Sequence, residues 1–311
     1  MNDSDAMVKT RPLLALLLFI LSQAAFAQSD DFGLDFSLQG QKKLMNKRLT
    51  LNVEGNFRTQ DNSRRAERYG VSVGAKYKII DYKNWTLTGG LEYTHLWVQN
   101  LAVRDTAKYE MKYDYYNVDA NGMYYEVEEE EYDGLSGIDP IYKGYNKGYN
   151  YTDRFWRDRD RYSASLGLKY EPNKRWSFSL VEIVQFTHYY KKSTSRNVYR
   201  EKYRLNGDDE LYLKETVDSL TVKSYSAKDR VMLKSRLGVA YNIRHCPLTP
   251  FCDVEYGCGL NYTNNRWKFT VGSEWSLGKK DDLEFFYRYK HEGDEEDPNG
   301  HYIGLGYTHK F

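Results

Sequence analysis

The sequence predicts an all-β protein, a transmembrane antiparallel up-and-down β-barrel of about ten strands. Three observations predict this fold: segments that alternate with a period of two, aromatic residues at the ends of their apolar faces, and connections that alternate between short turns and long loops. The mean hydropathy of −0.78 is low for a membrane protein. A spanning strand turns only every second residue towards lipid, so a low mean is compatible with a barrel.

The N-terminus has the order of a secretory signal. Lys9 and Arg11 precede an apolar run at 13–21, and Ala25-Phe26-Ala27 follows it. Basic, apolar and then small residues are typical of an export signal. We therefore expect residues 1–27 to be a signal peptide cleaved between Ala27 and Gln28, and residues 28–311 to be the barrel domain.

Ten segments carry the alternation in order along the chain. In the second of them Tyr69, Val71 and Val73 lie on one face, and Arg68 and Ser72 on the other. The segments are 48–58, 68–79, 85–97, 161–170, 176–186, 230–243, 251–262, 266–277, 283–291 and 301–311. Residues 32–44 also alternate and would make an eleventh strand. Because bacterial barrels normally have an even number, we favour ten strands with 32–44 at the periplasmic rim or in the lumen; twelve strands is the alternative.

Alternation alone also fits a soluble β-sandwich. Aromatic residues at both ends of the apolar faces favour the barrel, because they resemble the two belts that bound an apolar band in a membrane. The pairs are Tyr69 and Tyr77, Trp85 and Trp97, Tyr162 and Tyr170, and Trp267 and Trp275. We expect short periplasmic turns and two long extracellular loops at about 98–157 and 191–229.

The long loops contain their own signals. Asn121-Gly122 and Asn206-Gly207 each lie between alternating runs and predict a β-hairpin. Residues 144–153, rich in Gly, Tyr and Asn, are expected to be irregular. Tyr-rich loops are also typical of binding surfaces, so an extracellular ligand or protein partner is one interpretation of them.

The chain ends in "HYIGLGYTHKF", in which Ile303, Leu305, Tyr307 and Phe311 alternate with small or polar residues. This segment resembles the C-terminal recognition strand of bacterial outer-membrane proteins, although His309 departs from the usual apolar choice. The resemblance implies that the outer-membrane assembly machinery reads this strand during biogenesis.

A wider resemblance covers residues 32–311. "DFGLDFSLQGQKKLMNKRLTLNVEGNFRTQDN", "RYGVSVGAKYKI", "PLTPFCDVEYG" and "EFFYRYKHEGDEED" together are similar to an uncharacterised, domain-of-unknown-function family of Gram-negative outer-membrane β-barrels. It implies a location in the outer membrane, among its lipids and lipopolysaccharide. It implies no activity and no functional residues.

Charged residues occur on the face that alternation turns towards the lumen. They are Glu54, Arg58, Arg68, Lys76, Glu92, Arg161, Lys169, Arg236, Glu255, Arg266, Glu274, Glu284 and Arg288. One interpretation is a pore lining or a ligand site, and the other is a filling of paired charges in a narrow barrel. Glu182 conflicts with the pattern, because strict alternation turns it towards lipid. We expect a β-bulge to turn it inwards.

Histidine and cysteine residues give weak signals. No pattern of the six His residues predicts a metal site, and no cofactor is expected. Cys246 and Cys252 flank a turn in an oxidising compartment, so a disulfide is one interpretation. The other is small apolar residues, since alternation points the two side chains to opposite faces.

The sequence thus predicts a surface, structural or binding barrel of unknown ligand and no enzyme. A narrow channel for small solutes is the alternative. A lipid-acting barrel enzyme using His95 and His188 is a second one. The 45 basic and 44 acidic residues nearly balance, so no nucleic-acid partner is expected.

Overall fold

The structure is a computed structural model that describes residues 31–105, 108–135, 137–207, 209–260, 265–292 and 299–311. Within these ranges the regular structure is β, apart from a 3-10 turn at Glu129–Glu131. No helix in the described part of the chain is long and apolar enough to cross a membrane. The predicted signal peptide, with Ala27 and Gln28, lies outside the described residues.

The chain divides into two compact units. The first unit holds the strands of a closed barrel, numbered in chain order with those of the second unit: β1 (Asp31–Leu44), β2 (Leu49–Gln60), β3 (Arg65–Tyr82), β4 (Trp85–Asn100), β9 (Phe155–Tyr170), β10 (Trp176–Tyr189), β13 (Lys228–Tyr241), β14 (Leu248–Gly259), β15 (Arg266–Ser276), β16 (Asp281–Glu292) and β17 (Gly300–Lys310). The second unit, residues 100–155 and 191–226, holds β5 (Val103–Arg104), β6 (Lys108–Val118), β7 (Tyr124–Val127), β8 (Ile141–Thr152), β11 (Lys192–Leu205) and β12 (Leu211–Tyr225).

The barrel confirms the prediction of an all-β barrel of about ten strands, although one pair of its strands is parallel. Its strands follow the order β1-β17-β16-β15-β14-β13-β10-β9-β4-β3-β2, in which β1 also pairs with β2, and the pairing of the first strand with the last, β17, closes the wall. Each of the ten alternating segments forms one of these strands. We call the end of the barrel at which β4 ends and β9 begins the long-loop end, and the opposite end the short-turn end.

The strand count is eleven, and the preferred placement of residues 32–44 at the rim or in the lumen is wrong. β1 lies in the wall, antiparallel to β2 and parallel to β17, with Phe36 opposite both Phe57 and Leu305. In the wall, the strands on both sides of β1 supply hydrogen-bond partners for its backbone N–H and C=O groups. A segment in the lumen would need other groups to bond its backbone. An odd number of strands closes because the first and last strands run in the same direction.

The wall has the opposite polarity to that of a soluble protein. On β3, Val71 and Val73 are each 48% exposed on the outer face, whereas Ser72 between them is 5% exposed. Among the described residues, more polar and charged side chains than apolar ones are buried. Large apolar side chains cover the outside of the barrel, and polar ones fill the inside.

The second unit contains a sheet in the order β12-β11-β8-β6-β7, with β5 beside β8. Both predicted hairpins are present, because β6 pairs with β7 and β11 with β12. The expectation that 144–153 is irregular is wrong, since β8 lies between β6 and β11. Gly144 and Gly148 allow this packing: a Cβ at either position would collide with the backbone of β11.

Candidate functional site

The interior of the barrel contains two clusters of ion pairs. In the first, Asp35 on β1 accepts hydrogen bonds from Arg58 Nη2 and from Arg288 Nη1, each at 2.6 Å. The ring of Tyr302 lies 4.5 Å from the Arg58 guanidinium. Asp35 and Arg58 are both buried. Sequence reasoning missed Asp35 because it placed β1 outside the wall, although the alternation of β1 was a signal for it.

The second cluster is centred on Glu255 of β14. Arg236 Nη2 donates to Glu255 Oε2 at 2.5 Å, and Lys268 Nζ donates to Oε1 at 2.7 Å. Lys234 Nζ lies 3.9 Å from the same carboxylate and donates to Gln185 at 2.7 Å. Basic side chains from the two neighbouring strands, β13 and β15, therefore converge on one buried acid.

Two cavities, of about 320 and 380 Å³, lie among these side chains. Arg236, Glu284 and Arg288 line both of them, so the cavities share one wall. Of the other predicted inner residues, Glu255 and Glu274 line the smaller cavity, and Glu54, Arg68, Lys76 and Glu92 line the larger one. Nine of the thirteen predicted inner charges thus surround these two cavities.

The remaining predicted inner charges are Arg58, described above, and three others. Arg161 is paired in register with the buried Thr187, and its Nε has no hydrogen-bond partner in the described part of the chain. Lys169 forms an ion pair of 2.9 Å with Glu171, in which both side chains are about half exposed at the short-turn end. Arg266 is half-buried at the start of β15.

Glu182 does not turn inwards, so the expectation of a β-bulge is wrong. The register of β10 is unbroken with β13 from Trp176 to Tyr189 and with β9 from Phe178 to Tyr189. Glu182 is exposed on the outer face, opposite Leu166 on one side and Ser235 on the other. The hydroxyl of Ser235 donates to Glu182 Oε2 at 2.6 Å and gives the carboxyl group a polar partner there.

The aromatic residues at the strand ends lie on the outer face and contact one another between strands. At the short-turn end, the rings of Trp85 and Tyr170 stack with centroids 4.3 Å apart. At the long-loop end, Tyr256 and Trp267 lie 4.7 Å apart. Such contacts join neighbouring strands at both edges of the apolar band.

His95 and His188 lie on the outer face near the long-loop end. His95 Nδ1 is 2.7 Å from Asp160 Oδ1, and the hydroxyls of Tyr93 and Tyr190 also donate to Asp160. His188 Nδ1 is 2.6 Å from Asp229 Oδ1. Sequence reasoning did not single out either aspartate.

His309, which departs from the resemblance at the C-terminus, forms a similar pair with Asp281 at 2.7 Å. No group of three or more His, Cys, Asp and Glu side chains suited to a metal ion occurs within the described ranges.

Cys246, Cys252 and Cys258 are free thiols, so the disulfide considered from the sequence is not formed. Cys246 lies in the turn before β14, and Cys252 is the fifth residue of that strand.

The C-terminal strand places Ile303, Leu305 and Tyr307 on the same face as His309, and the Tyr307 hydroxyl donates to Asp281 at 2.7 Å. Phe311 is 71% exposed, and its backbone N–H donates to the carbonyl oxygen of Gln41 on β1 at 2.9 Å. The Phe311 ring packs edge-on against His309, with centroids 4.7 Å apart.

The second unit contains a regular group of side chains that we call the tyrosine grid: Tyr145, Lys147 and Tyr149 on β8 opposite Tyr203, Glu201 and Tyr199 on β11. Tyr145 stacks on Tyr203 with ring centroids 4.8 Å apart, and Tyr149 stacks on Tyr199 at 5.1 Å. Two aromatic pairs thus flank a central pair of opposite charge.

The centre of the grid is held by hydrogen bonds. The hydroxyls of Tyr199 and Tyr203 donate to Glu201 at 2.8 and 3.0 Å. These bonds lower the pKa of the Glu201 carboxyl and raise the pKa of both phenols. The guanidinium of Arg104 lies 3.8 Å from the Tyr149 ring centroid and covers one end of the grid.

These features define a class: a closed β-barrel with an apolar outer face and a charged interior, whose chain also forms a separate tyrosine-rich sheet. The sequence matches no protein-family model, and a search of curated proteins gave no significant match.

Proposed function

We propose that this chain is an integral outer-membrane β-barrel that binds an extracellular ligand through its second unit. The observation that carries the proposal is the polarity of the wall. Large apolar side chains cover the outer face, including Leu237, which is 60% exposed, while the ion pairs of Asp35 and Glu255 lie inside. Exposure of this whole apolar face to water would be unfavourable. A bilayer around the wall would replace that water with lipid.

The predicted ends of the chain support a location in the outer membrane of a Gram-negative bacterium. The signal at 1–27 would export the chain. The terminal strand with its final Phe311 would be read by the assembly machinery. Lipid and lipopolysaccharide would then surround the wall, and the aromatic belts would lie at the two interfaces.

The tyrosine grid supports a binding role for the second unit. Tyrosine gives a large contact area with little loss of side-chain entropy, and stacking fixes the rings before a ligand arrives. Tyr109, whose ring lies 6.0 Å from Tyr145, extends the aromatic surface and is 60% exposed. The central Glu201 and Lys147 would add polar selectivity.

A narrow channel is the second candidate, and the two adjoining cavities favour it. The ion pairs of Asp35 and Glu255 argue for the binding barrel, because they fix charged side chains across the inside of a wall of only eleven strands. Barrels of eight strands are filled by side chains, and wide aqueous channels occur at about sixteen.

The proposal assigns no catalytic residue. His95 and His188 each contact an aspartate at one edge of the apolar band. We interpret both pairs as anchors at the membrane interface, where a side chain with an apolar body and a polar tip is favourable.

Two matched positions test the proposal. A photo-crosslinking amino acid would replace Leu237 or Tyr109, both 60% exposed, in cells that carry the full chain. Adducts would be identified by mass spectrometry. We expect lipid adducts at Leu237, and at Tyr109 a non-lipid adduct that is lost when Tyr145 and Tyr203 are both replaced by Ala.

The same cells would be fractionated by density, and their barrel checked for a heat-modifiable mobility on gels. Recovery in the soluble periplasmic fraction, or no lipid adduct at Leu237, would overturn the membrane location. An identical adduct pattern with and without the two tyrosines would overturn the binding role.

A further inference from the structure

A groove of about 480 Å³ lies on the outer face of the barrel wall around Glu182, the residue that conflicts with the sequence pattern. We call it the Glu182 groove. Its lining includes Ala164, Leu166, Val184, Leu233, Ser235 and Tyr256, from β9, β10, β13 and β14. The small side chains of Ala164 and Ser235 leave room between the larger aliphatic ones. A mainly apolar concavity with a few convergent polar groups is the usual form of a small-molecule site.

Only one of the two carboxylate oxygens of Glu182 has a hydrogen-bond partner among the described residues. Ser235 donates its hydroxyl to Glu182 Oε2. Oε1 has no hydrogen-bond partner among the residues that the structure describes. Glu182 is the seventh of the fourteen residues of β10, so the carboxyl group lies at the middle of that strand, and Tyr256 of the aromatic pair at the long-loop end borders the groove on one side.

If the wall is in a membrane, as proposed above, this position faces hydrocarbon. Water does not reach it to complete the hydrogen bonds, and an acidic side chain there is unfavourable unless it has a partner. The unbroken register of β10 shows that no β-bulge turns Glu182 towards the interior. An intramembrane acid that stays exposed on the lipid side therefore points to a ligand.

We propose that the Glu182 groove binds a lipid-soluble molecule whose hydrocarbon part packs on the aliphatic lining and whose hydroxyl or amide N–H donates to Glu182. The shape of the groove suits a single hydrocarbon chain. A second copy of this protein on a two-fold axis through the groove would place an acid opposite an acid and would supply no donor of complementary charge. The inference rests on the proposed membrane location.

The test uses two probes that differ in one hydrogen-bond donor: a methyl ester of stearic acid with a mid-chain hydroxyl, and the O-methyl ether of that hydroxyl. Each would be titrated into the full chain purified in detergent, and binding measured by native mass spectrometry. We expect the hydroxyl probe to bind at one molecule per chain, at least about tenfold more tightly than the ether.

Three variants locate the interaction. Glu182→Leu should abolish the preference for the hydroxyl probe, and Glu182→Gln should retain part of it because its amide oxygen still accepts. Ser273→Leu, a change at another serine on the outer-face positions of the wall, should leave the preference unchanged. A heat-modifiable band would show that each variant is folded.

Equal binding of the two probes by the wild-type protein would overturn the proposal. So would a preference that survives Glu182→Leu, or a dimer in detergent that Glu182→Leu dissociates. If the chain fractionates with membranes and shows no preference, the groove inference alone fails. If it fractionates as a soluble protein, the proposed function fails as well.

Discussion

Arg288 on β16 donates a 2.6 Å hydrogen bond to Asp35 on β1, so two residues 253 positions apart meet inside the barrel across the intervening strand β17. Arg58 on β2 approaches the same carboxylate from the other side. One acid thus ties together the strands on both sides of the parallel seam that closes the wall.

The seam should depend on this acid. Asp35→Asn leaves the buried Arg58 and the half-buried Arg288 without their counter-charge and should lower the free energy of unfolding by about 3–5 kcal/mol. The measurement is urea unfolding of the refolded barrel, followed by its mobility on gels. Lys169→Met is the control, because the half-exposed Lys169–Glu171 pair should contribute only about 0–1 kcal/mol. Equal losses in the two variants would contradict the role of Asp35.

A charge introduced on the outer face of β3 should impair folding more than a charge introduced on its inner face. Val73→Arg places a guanidinium on the outer face near the middle of the wall and should cost about 2–4 kcal/mol in a bilayer. Ser72→Arg should be milder, because Ser72 faces inwards beside Glu54 in the register. Folded yields in lipid vesicles measure the difference. Similar yields would contradict a membrane around the wall.

Removing Phe311 should reduce insertion into the outer membrane severalfold. Phe311 is 71% exposed and its ring packs edge-on against His309, so lost packing would explain only a small effect. Recognition of the terminal strand during assembly would explain it. Surface levels in cells should be compared with refolding of purified protein in detergent, which needs no machinery. An equal reduction of the surface level and of the refolding yield would instead indicate a structural role. The control variant Phe311→Trp should show normal values in both assays.

The full chain in a planar bilayer should give no steady current, because the inner charges are held in ion pairs. Deletion of residues 108–132 should leave the barrel heat-modifiable, since its strands pair independently of the second unit. A steady current that changes with Arg161→Ala or Arg236→Ala and survives the deletion would favour the channel instead.

Glu201 should titrate below its ordinary value of 4.5, because two phenol hydroxyls donate to its ionised form. A lowered pKa in the folded state means that the stabilisation is present above pH 4.5 and is lost as the pH falls through the folded value. Carboxyl-carbon NMR of labelled protein measures the midpoint. Tyr199→Phe with Tyr203→Phe should move the midpoint upwards, whereas Tyr212→Phe on β12 should not. An unchanged midpoint in the double variant would contradict the hydrogen bonds.

The sequence by itself determined the features that depend on one strand at a time. The period of two assigned Val73 to the outer face and Ser72 to the inner face, and it located ten strands of the wall and both hairpins of the second unit. These features are local because each side chain alternates about its own backbone, whatever strand lies beside it.

Only the tertiary structure decided which strands are neighbours. The alternation of β1 would be the same beside β17, at a rim or in a lumen. Only the long-range backbone hydrogen bonds identify β1 as the eleventh strand, pair it in parallel with β17 and place Asp35 in the interior. Glu182 was misplaced for a related reason: the sequence shows an acid on an apolar face, but Ser235, its partner, lies 53 residues away. Partners that are brought together by closure of a barrel leave no trace in the local pattern of either strand.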